Sequence, residues 1–337
     1  MKKLVDGVAY YQVVFTLPAE LSALALGNRR VMFTLLFHAA WKSLKQVLED
    51  EQAYEAAASM VLHTWNQHLD AHVHVHAVVP GGGPSLKKPG TWQHAIPPPH
   101  ERQDRWWLVD ADVLRVEFRD TFLNGLRRLH TRGELKLEGD WSHLQGKAAF
   151  DEFLSPLESK SWVTYIQPPP TESSAPSDIV KYLARYLTGG PISDARLMKY
   201  EDGRVTFTAR TGTTHGGSDE TEEVELPAQE FVRRWCLHIL PPGFTKTRCY
   251  GGWSNHHSTR YVAECRDLLP SADDVARGEA LCAEASPDVA DAESRGRRCP
   301  TCDGELELIE RVHRTSWRDI FSGSDCPSWN TFRERPG

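Results

Sequence analysis

The 337-residue sequence predicts a layered protein of mixed helix and strand, α+β or α/β. Three observations carry that expectation. Short segments rich in β-branched and aromatic residues alternate with long segments whose apolar residues recur at helical spacing. Clusters of Pro and Gly separate them. Composition is ordinary, 40% hydrophobic and 25% charged, which allows a sizeable core and excludes wholesale disorder, collagen and coiled coil. No stretch approaches the roughly 20 apolar residues of a membrane span. The start, MKKLVDGVAYY, lacks the apolar run of a secretory signal. A cytoplasmic protein with no membrane partner is expected.

The elements follow in order. Residues 7–17 (GVAYYQVVFTL) predict a strand ending at Pro18. Residues 29–49 carry a helical apolar stripe, and the Ala-rich residues 52–66 suggest a second helix. HVHVHAVV alternates strictly, as a strand does, and stops at PGGG. A loop rich in Pro, Lys and Trp runs to about residue 108, and residues 111–132 predict an Arg-rich helix. SWVTYIQ is a short strand before PPP. SSAPSDIVKYLARYLTGG predicts a helix capped by Ser177 or Asp178 and stopped by Gly189 and Gly190. RVTFTAR is a strand, and residues 227–240 a helix.

Five of the fifteen histidines lie between His63 and His76. On a strand, side chains at i and i+2 share a face. His72, His74 and His76 then point one way, while Val73, Val75 and Ala77 point toward a core. Imidazoles paired on one strand face can hold a divalent metal through ring nitrogens. Tyr182 and Tyr186 stand at i and i+4 on their helix, so both hydroxyls share a face. By themselves, two tyrosines at this spacing also suit a helix covering a core. With a metal-polarised electrophile nearby, tyrosine becomes a useful nucleophile. Lys181 and Arg185 on the same helix can steady phosphates. A metal facing a tyrosine suits phosphodiester transesterification, and no P-loop or dinucleotide fingerprint competes with that reading.

Several extended blocks resemble a known family. HTWNQHLDAHVHVHAVVPGGG, VAYYQVVFTLPAEL, IVKYLARYLTGGPISDARL, EDGRVTFTAR and LPAQEFVRRWCLHILPPGFTKTRCYGGWSN occur in order between about residues 8 and 266. They resemble blocks of the rolling-circle, two-tyrosine HUH-type transposases of the insertion sequence ninety-one family. The resemblance implies an α+β nuclease palm, a central antiparallel sheet flanked by helices, with a less ordered C-terminal tail. It implies a DNA strand nicked at transposon ends, a 5′-phosphotyrosine link and transfer of the single strand to target DNA. Carried over by position, His74 and His76 are the pair for Mg²⁺ or Mn²⁺, and Tyr182 and Tyr186 the nucleophiles. A third ligand is expected in this superfamily. His72 and Gln67 are the first candidates, with His63 and Asp70 behind; His72 shares the strand face, but two residues before His74 it sits one strand repeat, about 6.6 Å, down the strand. Family members carry a cysteine-rich zinc module before the opening strand, whereas no cysteine precedes Cys236 here; the expectation is a form lacking that module. A replication initiator or relaxase sharing the chemistry, and a truncated DNA-binding remnant without catalysis, are the rival readings.

CPTC places Cys299 and Cys302 as half of a possible Zn²⁺ site, with Cys282, His313 or Cys326 as partners of unfamiliar spacing. Residues 231–266 hold six Lys or Arg against Glu264 alone, interleaved with Trp235, Phe244, Tyr250 and Trp253. That mixture suits single-stranded DNA, with Arg233, Arg234, Lys246 and Arg248 as candidate contacts. The net charge of −7 argues against nucleic-acid binding only when averaged over the chain. Residues 267–310 hold twelve acids and four Arg, and residues 211–230 six acids and no base; the remainder carries +7. The expected organisation is a catalytic domain over 1–210, its helical, basic DNA-binding extension over 211–266, and an acidic linker with a Cys-containing tail over 267–337.

Overall fold

The computed structural model describes residues 4–5, 8–96, 108–167, 189–211 and 221–269. Its centre is an antiparallel sheet of five strands: β1 (Tyr10–Thr16), β2 (Ala57–Trp65), β3 (Ala71–Pro80), β6 (Val163–Gln167) and β10 (Thr247–Gly251), in spatial order β10-β2-β3-β1-β6. The His-rich β3 is the middle strand, paired with β1 on one side and β2 on the other.

One face of this sheet is apolar. Val13 and Phe15 of β1, Ala58, Met60 and Leu62 of β2, and Val73, Val75, Ala77 and Val79 of β3 join a single buried cluster. Helices α1 (Ala19–Gly27), α2 (Arg29–Gln52) and α3 (Ala111–Thr131) contribute its other half. The amphipathic stripe of α2 buries Met32, Phe33, Leu36, Phe37, Leu44 and Leu48. Asp110 starts α3 by accepting hydrogen bonds from the backbone N–H of Asp112 and Val113 at 2.9 and 3.1 Å. Phe118 of α3 meets Phe15 edge to face at 5.0 Å. A Cβ at Gly125 would lie 2.2 Å from the Leu35 side chain, so this glycine permits the close approach of α2 and α3. Helix α4 (Lys147–Ser159) packs beside α3 through Phe150, Leu154 and Leu157.

The strand expected over residues 7–17 and the helices expected over 29–49 and 111–132 are present at those places. The helix expected over 52–66 is instead strand β2. Alanine favours a helix locally, but α2 ends at Gln52 where Ala53 turns left-handed (φ 57°), its N–H bonding the Glu49 carbonyl. The chain beyond it is claimed by two ladders, β3 on one side and β10 on the other; such pairing overrides weak propensity. The expected loop before residue 108 also contains a small pair, β4 (Gly82–Pro84) with β5 (Trp92–His94).

A second sheet pairs β7 (Leu197–Glu201), β8 (Arg204–Arg210) and β9 (Thr221–Pro227). Asp202 and Gly203, at φ 49° and 74°, make the two-residue turn joining the first two. Helix α5 (Ala228–Cys236) follows β9, with Phe231 5.8 Å from Phe207. Helix α6 (Ser258–Leu268) closes one end of the other face of the main sheet, where Tyr261, Val262 and Cys265 meet Ala57, Val78 and Tyr10. The described residues of the stretch 211–266, expected as a helical extension, contribute two strands besides α5 and most of α6. No helix among the described residues is long and apolar enough to cross a membrane.

Candidate metal centre

The polar face of the central sheet is built by register. His63 of β2 lies directly across from His74 of β3, and Thr16 of β1 flanks His74 on the other side. His76, two residues along, therefore shares their face. One nitrogen from each of His63, His74 and His76 lies within 4.8 Å of the other two. Nε2 of His74 and Nε2 of His76 are 3.1 Å apart.

The hairpin between β2 and β3 holds this register. Asn66 Oδ1 accepts from the backbone N–H of His68 and Asp70 at 2.9 and 2.8 Å, and Leu69 adopts a left-handed φ of 61°. Arg234 of α5 donates to the Asp70 carboxylate (2.7 Å) and the His68 carbonyl (3.2 Å), and His238 bonds the Leu69 carbonyl at 3.0 Å. Between the pairs His63–His74 and Trp65–Ala71 the ladder shifts by one residue, the extra one lying on β3, and the Trp65 indole stacks on the His63 ring, centroids 4.7 Å apart.

His74 Nδ1 donates to the His72 backbone carbonyl at 2.8 Å. A neutral imidazole with its proton on Nδ1 presents a lone pair at Nε2, toward His76. Burial, reinforced by the neighbouring imidazoles, pushes the His74 pKa well below its usual value; burial and then His63, His72 and Lys246 push His76 down to about 3. Both rings are neutral near pH 7, as metal ligands must be. Cis ligands of an octahedral ion at about 2.1 Å lie about 3 Å apart, which the 3.1 Å separation of the two Nε2 atoms fits. The residues present therefore fit a divalent cation.

The sequence-derived candidates fall in different places. His74 and His76 are in the cluster with His63. His72 shares the face, its ring 4.9 Å from that of His74, yet it meets His74 through its carbonyl and lies outside the three-nitrogen cluster. Gln67 is exposed in the hairpin turn, where its carbonyl accepts from Arg196. His63, placed behind both in the sequence reading, is the third member of the cluster; a helix over 52–66 does not bring it opposite His74, whereas the β2–β3 ladder does. The signal was available: Val61, Thr64 and Trp65 favour strand, and an Asx-type turn at Asn66 folds them back on β3.

Lys246 Nζ donates to the Gly189 carbonyl at 2.8 Å and stands 5.1 Å over the Trp65 ring. Arg233 is paired with Glu230, and Arg234 with Glu230 and Asp70. Arg248 lies on the helix side of the sheet, over Phe37 and Phe244 at 4.5 and 4.9 Å. Lys181, Tyr182, Arg185, Tyr186, Cys299 and Cys302 lie outside the described residues.

A transposase of Sinorhizobium fredii, "Putative transposase y4qJ", is 34% identical over 328 residues, 96% of this chain and 76% of that protein. The "Transposase for insertion sequence element IS801" of Pseudomonas savastanoi pv. phaseolicola is 27% identical over 265 residues; the chain spans only 58% of its length. A solved structure, "The structure of TrwC complexed with a 27-mer DNA comprising the recognition hairpin and the cleavage site", aligns over 76% of this chain and 73% of that one, at 11% identity and a TM-score of 0.23, a likeness too slight to bear on the fold. Residues 58–260 match the family model Y2_Tnp, "Putative transposase". That match covers more than half of the chain and contains all three histidines, so the chain belongs to the Y2_Tnp transposase family.

Proposed function

We propose that this protein nicks single-stranded DNA at transposon ends and transfers the strand to target DNA through a tyrosine-linked intermediate. The observation that carries the reading is the convergence of His63, His74 and His76 on the polar face of the sheet. Family membership supports it, as does the position of Gly189, three residues beyond Tyr186, whose carbonyl is held by Lys246 beside the His63–Trp65 stack.

His63, His74 and His76 would hold Mg²⁺ or Mn²⁺ through ring nitrogens; this all-nitrogen donor set favours Mn²⁺, since Mg²⁺ prefers oxygen. An ion held there would supply Lewis-acid stabilisation of the charge that develops on the phosphate during transfer. The hydroxyl oxygen of Tyr182 or Tyr186 attacks phosphorus, forming a 5′-phosphotyrosine. The bond from phosphorus to the 3′-oxygen breaks; that oxygen keeps the electron pair and takes a proton, while the tyrosine proton leaves to solvent. The second tyrosine allows a second transfer without releasing the first strand. Lys246, Lys181 and Arg185 supply positive charge for the phosphates.

The test is a covalent-adduct assay with Mn²⁺ and a labelled single-stranded oligonucleotide carrying an element end. The protein is expected to shift with a label placed on the 3′ side of the cleavage site attached, while a label on the 5′ side is released with the free 3′-hydroxyl strand. Tyr182→Phe combined with Tyr186→Phe is expected to abolish the adduct, and His74→Ala to reduce it at least a hundredfold. Adducts that persist in the double tyrosine variant would overturn the mechanism.

A further inference from the structure

Gln12 of β1 is buried on the histidine face of the sheet. Its Nε2 lies 2.7 Å from His76 Nδ1, and its Oε1 is buried with no hydrogen-bond partner. These atoms and the two Nε2 atoms facing each other define one consistent pattern of protons. His74 Nδ1 carries a proton because a carbonyl only accepts, so His74 Nε2 is a lone pair. With no cation between them, a hydrogen bond across the 3.1 Å gap has His76 Nε2 carry its own proton and donate it to His74. That leaves His76 Nδ1 a lone pair, which accepts from the Gln12 amide N–H.

This pattern closes the cluster to a cation, because His76 Nε2 is protonated. For His76 to join His63 and His74 as a ligand, its proton must be on Nδ1, which then needs an acceptor. Gln12 can supply one by rotating its amide half a turn, bringing the idle Oε1 to where Nε2 stood. A glutamine amide can serve both patterns because it has a donor and an acceptor end and no charge.

We propose that Gln12 is a positioning residue for the metal centre, switching from donor to acceptor toward His76 as the cation binds and so holding His76 in its ligating tautomer. The proposal rests on the metal reading of the histidine cluster. Such outer partners fix the tautomer of a ligating histidine and raise its basicity, and their loss costs about 10–100-fold in metal affinity.

The test has two readouts, neither of which is nicking. First, ¹⁵N-histidine spectra of the full chain are recorded with and without Mg²⁺, the His76 signals being assigned from the His76→Gln variant. The proton on His76 is expected on Nε2 without the ion and on Nδ1 with it; an unchanged tautomer overturns the proposal. Second, Mn²⁺ affinity is measured by calorimetry. Gln12→Leu is expected to weaken it about 10–100-fold, whereas Gln12→Glu, an acceptor only, should bind at least as tightly as the unaltered chain. A folded Gln12→Leu protein with undiminished affinity overturns the proposal while leaving the metal reading intact. Mn²⁺ binding that survives both His74→Ala and His76→Ala overturns that reading, and the role of Gln12 with it.

Discussion

At the residue scale, burial decides what each titratable group can do. The thiol of Cys265, packed under α6 against Tyr261, is pushed up to about 12, chiefly by burial. The hydroxyl of Tyr261 is likewise raised, chiefly by burial. Thiolate is the reactive form, so Cys265 is almost wholly protonated, and inert, across the neutral range. Cys236, at the end of α5, is exposed. Brief treatment of the native protein with iodoacetamide at pH 8 should therefore alkylate Cys236 and spare Cys265. Both should react once urea unfolds the chain. Peptide mass mapping reads the outcome, and prompt labelling of native Cys265 would contradict the packing of α6 on the sheet.

At the element scale, the hairpin is the unit that makes the site. Neither β2 nor β3 alone brings three imidazoles together; their antiparallel pairing sets His63 opposite His74. A slip of one residue would turn one strand's histidines into the core. The valines on the reverse of β3 prevent such a slip, since Val73 and Val75 are fully buried. A second hairpin allows a cleaner measurement. Gly203 sits at φ 74° in the β7–β8 turn, and a Cβ there would meet nothing within 4 Å. Gly203→Ala should cost about 1–2 kcal/mol, the penalty of left-handed backbone alone. Gly203→Asn should cost less, because asparagine tolerates that conformation. Urea unfolding midpoints of the two variants test this; equal midpoints would mean that the turn relaxes.

At the scale of the whole molecule, charge is segregated and partly used internally. The basic stretch 231–266 is less available than its count suggests. Arg233 and Arg234 are engaged by Glu230 and Asp70, and Arg260 by Glu55 and Glu264. Arg29 and Arg30 of α2 donate to the carbonyls of Ile239 and Pro242 at 2.8 and 2.7 Å. These arginines tie the C-terminal elements to the core, and three of the six cations of 231–266 are already engaged by acids. Under the proposed function, single-stranded DNA binding should show only a moderate salt slope. About three phosphate contacts correspond to a loss of about twentyfold in affinity between 50 and 200 mM salt. Fluorescence anisotropy across that range measures it. A loss of a thousandfold or more would mean that these internal pairs open to meet the phosphates.

The sequence by itself determined a great deal. The alternation of β3, with His72, His74 and His76 on one face and valines on the other, was legible because a strand's period is local. So were the stripes of α2 and α3, the strands β1, β6 and β8, and the blocks that mark the family. Three things were decided only by tertiary structure. Residues 57–65 became a strand because two neighbours offered backbone partners, which no window of local propensity contains. The third imidazole followed from that pairing: His63 was in view throughout, but its nearness to His74 is a property of register. The partners of the imidazoles came last. The His72 carbonyl and the Gln12 amide, one on the same strand and one 64 residues away in sequence, stand 2.8 and 2.7 Å from Nδ1 of His74 and of His76. Periodicity is written along the chain, whereas register and hydrogen-bond polarity arise only when distant segments meet.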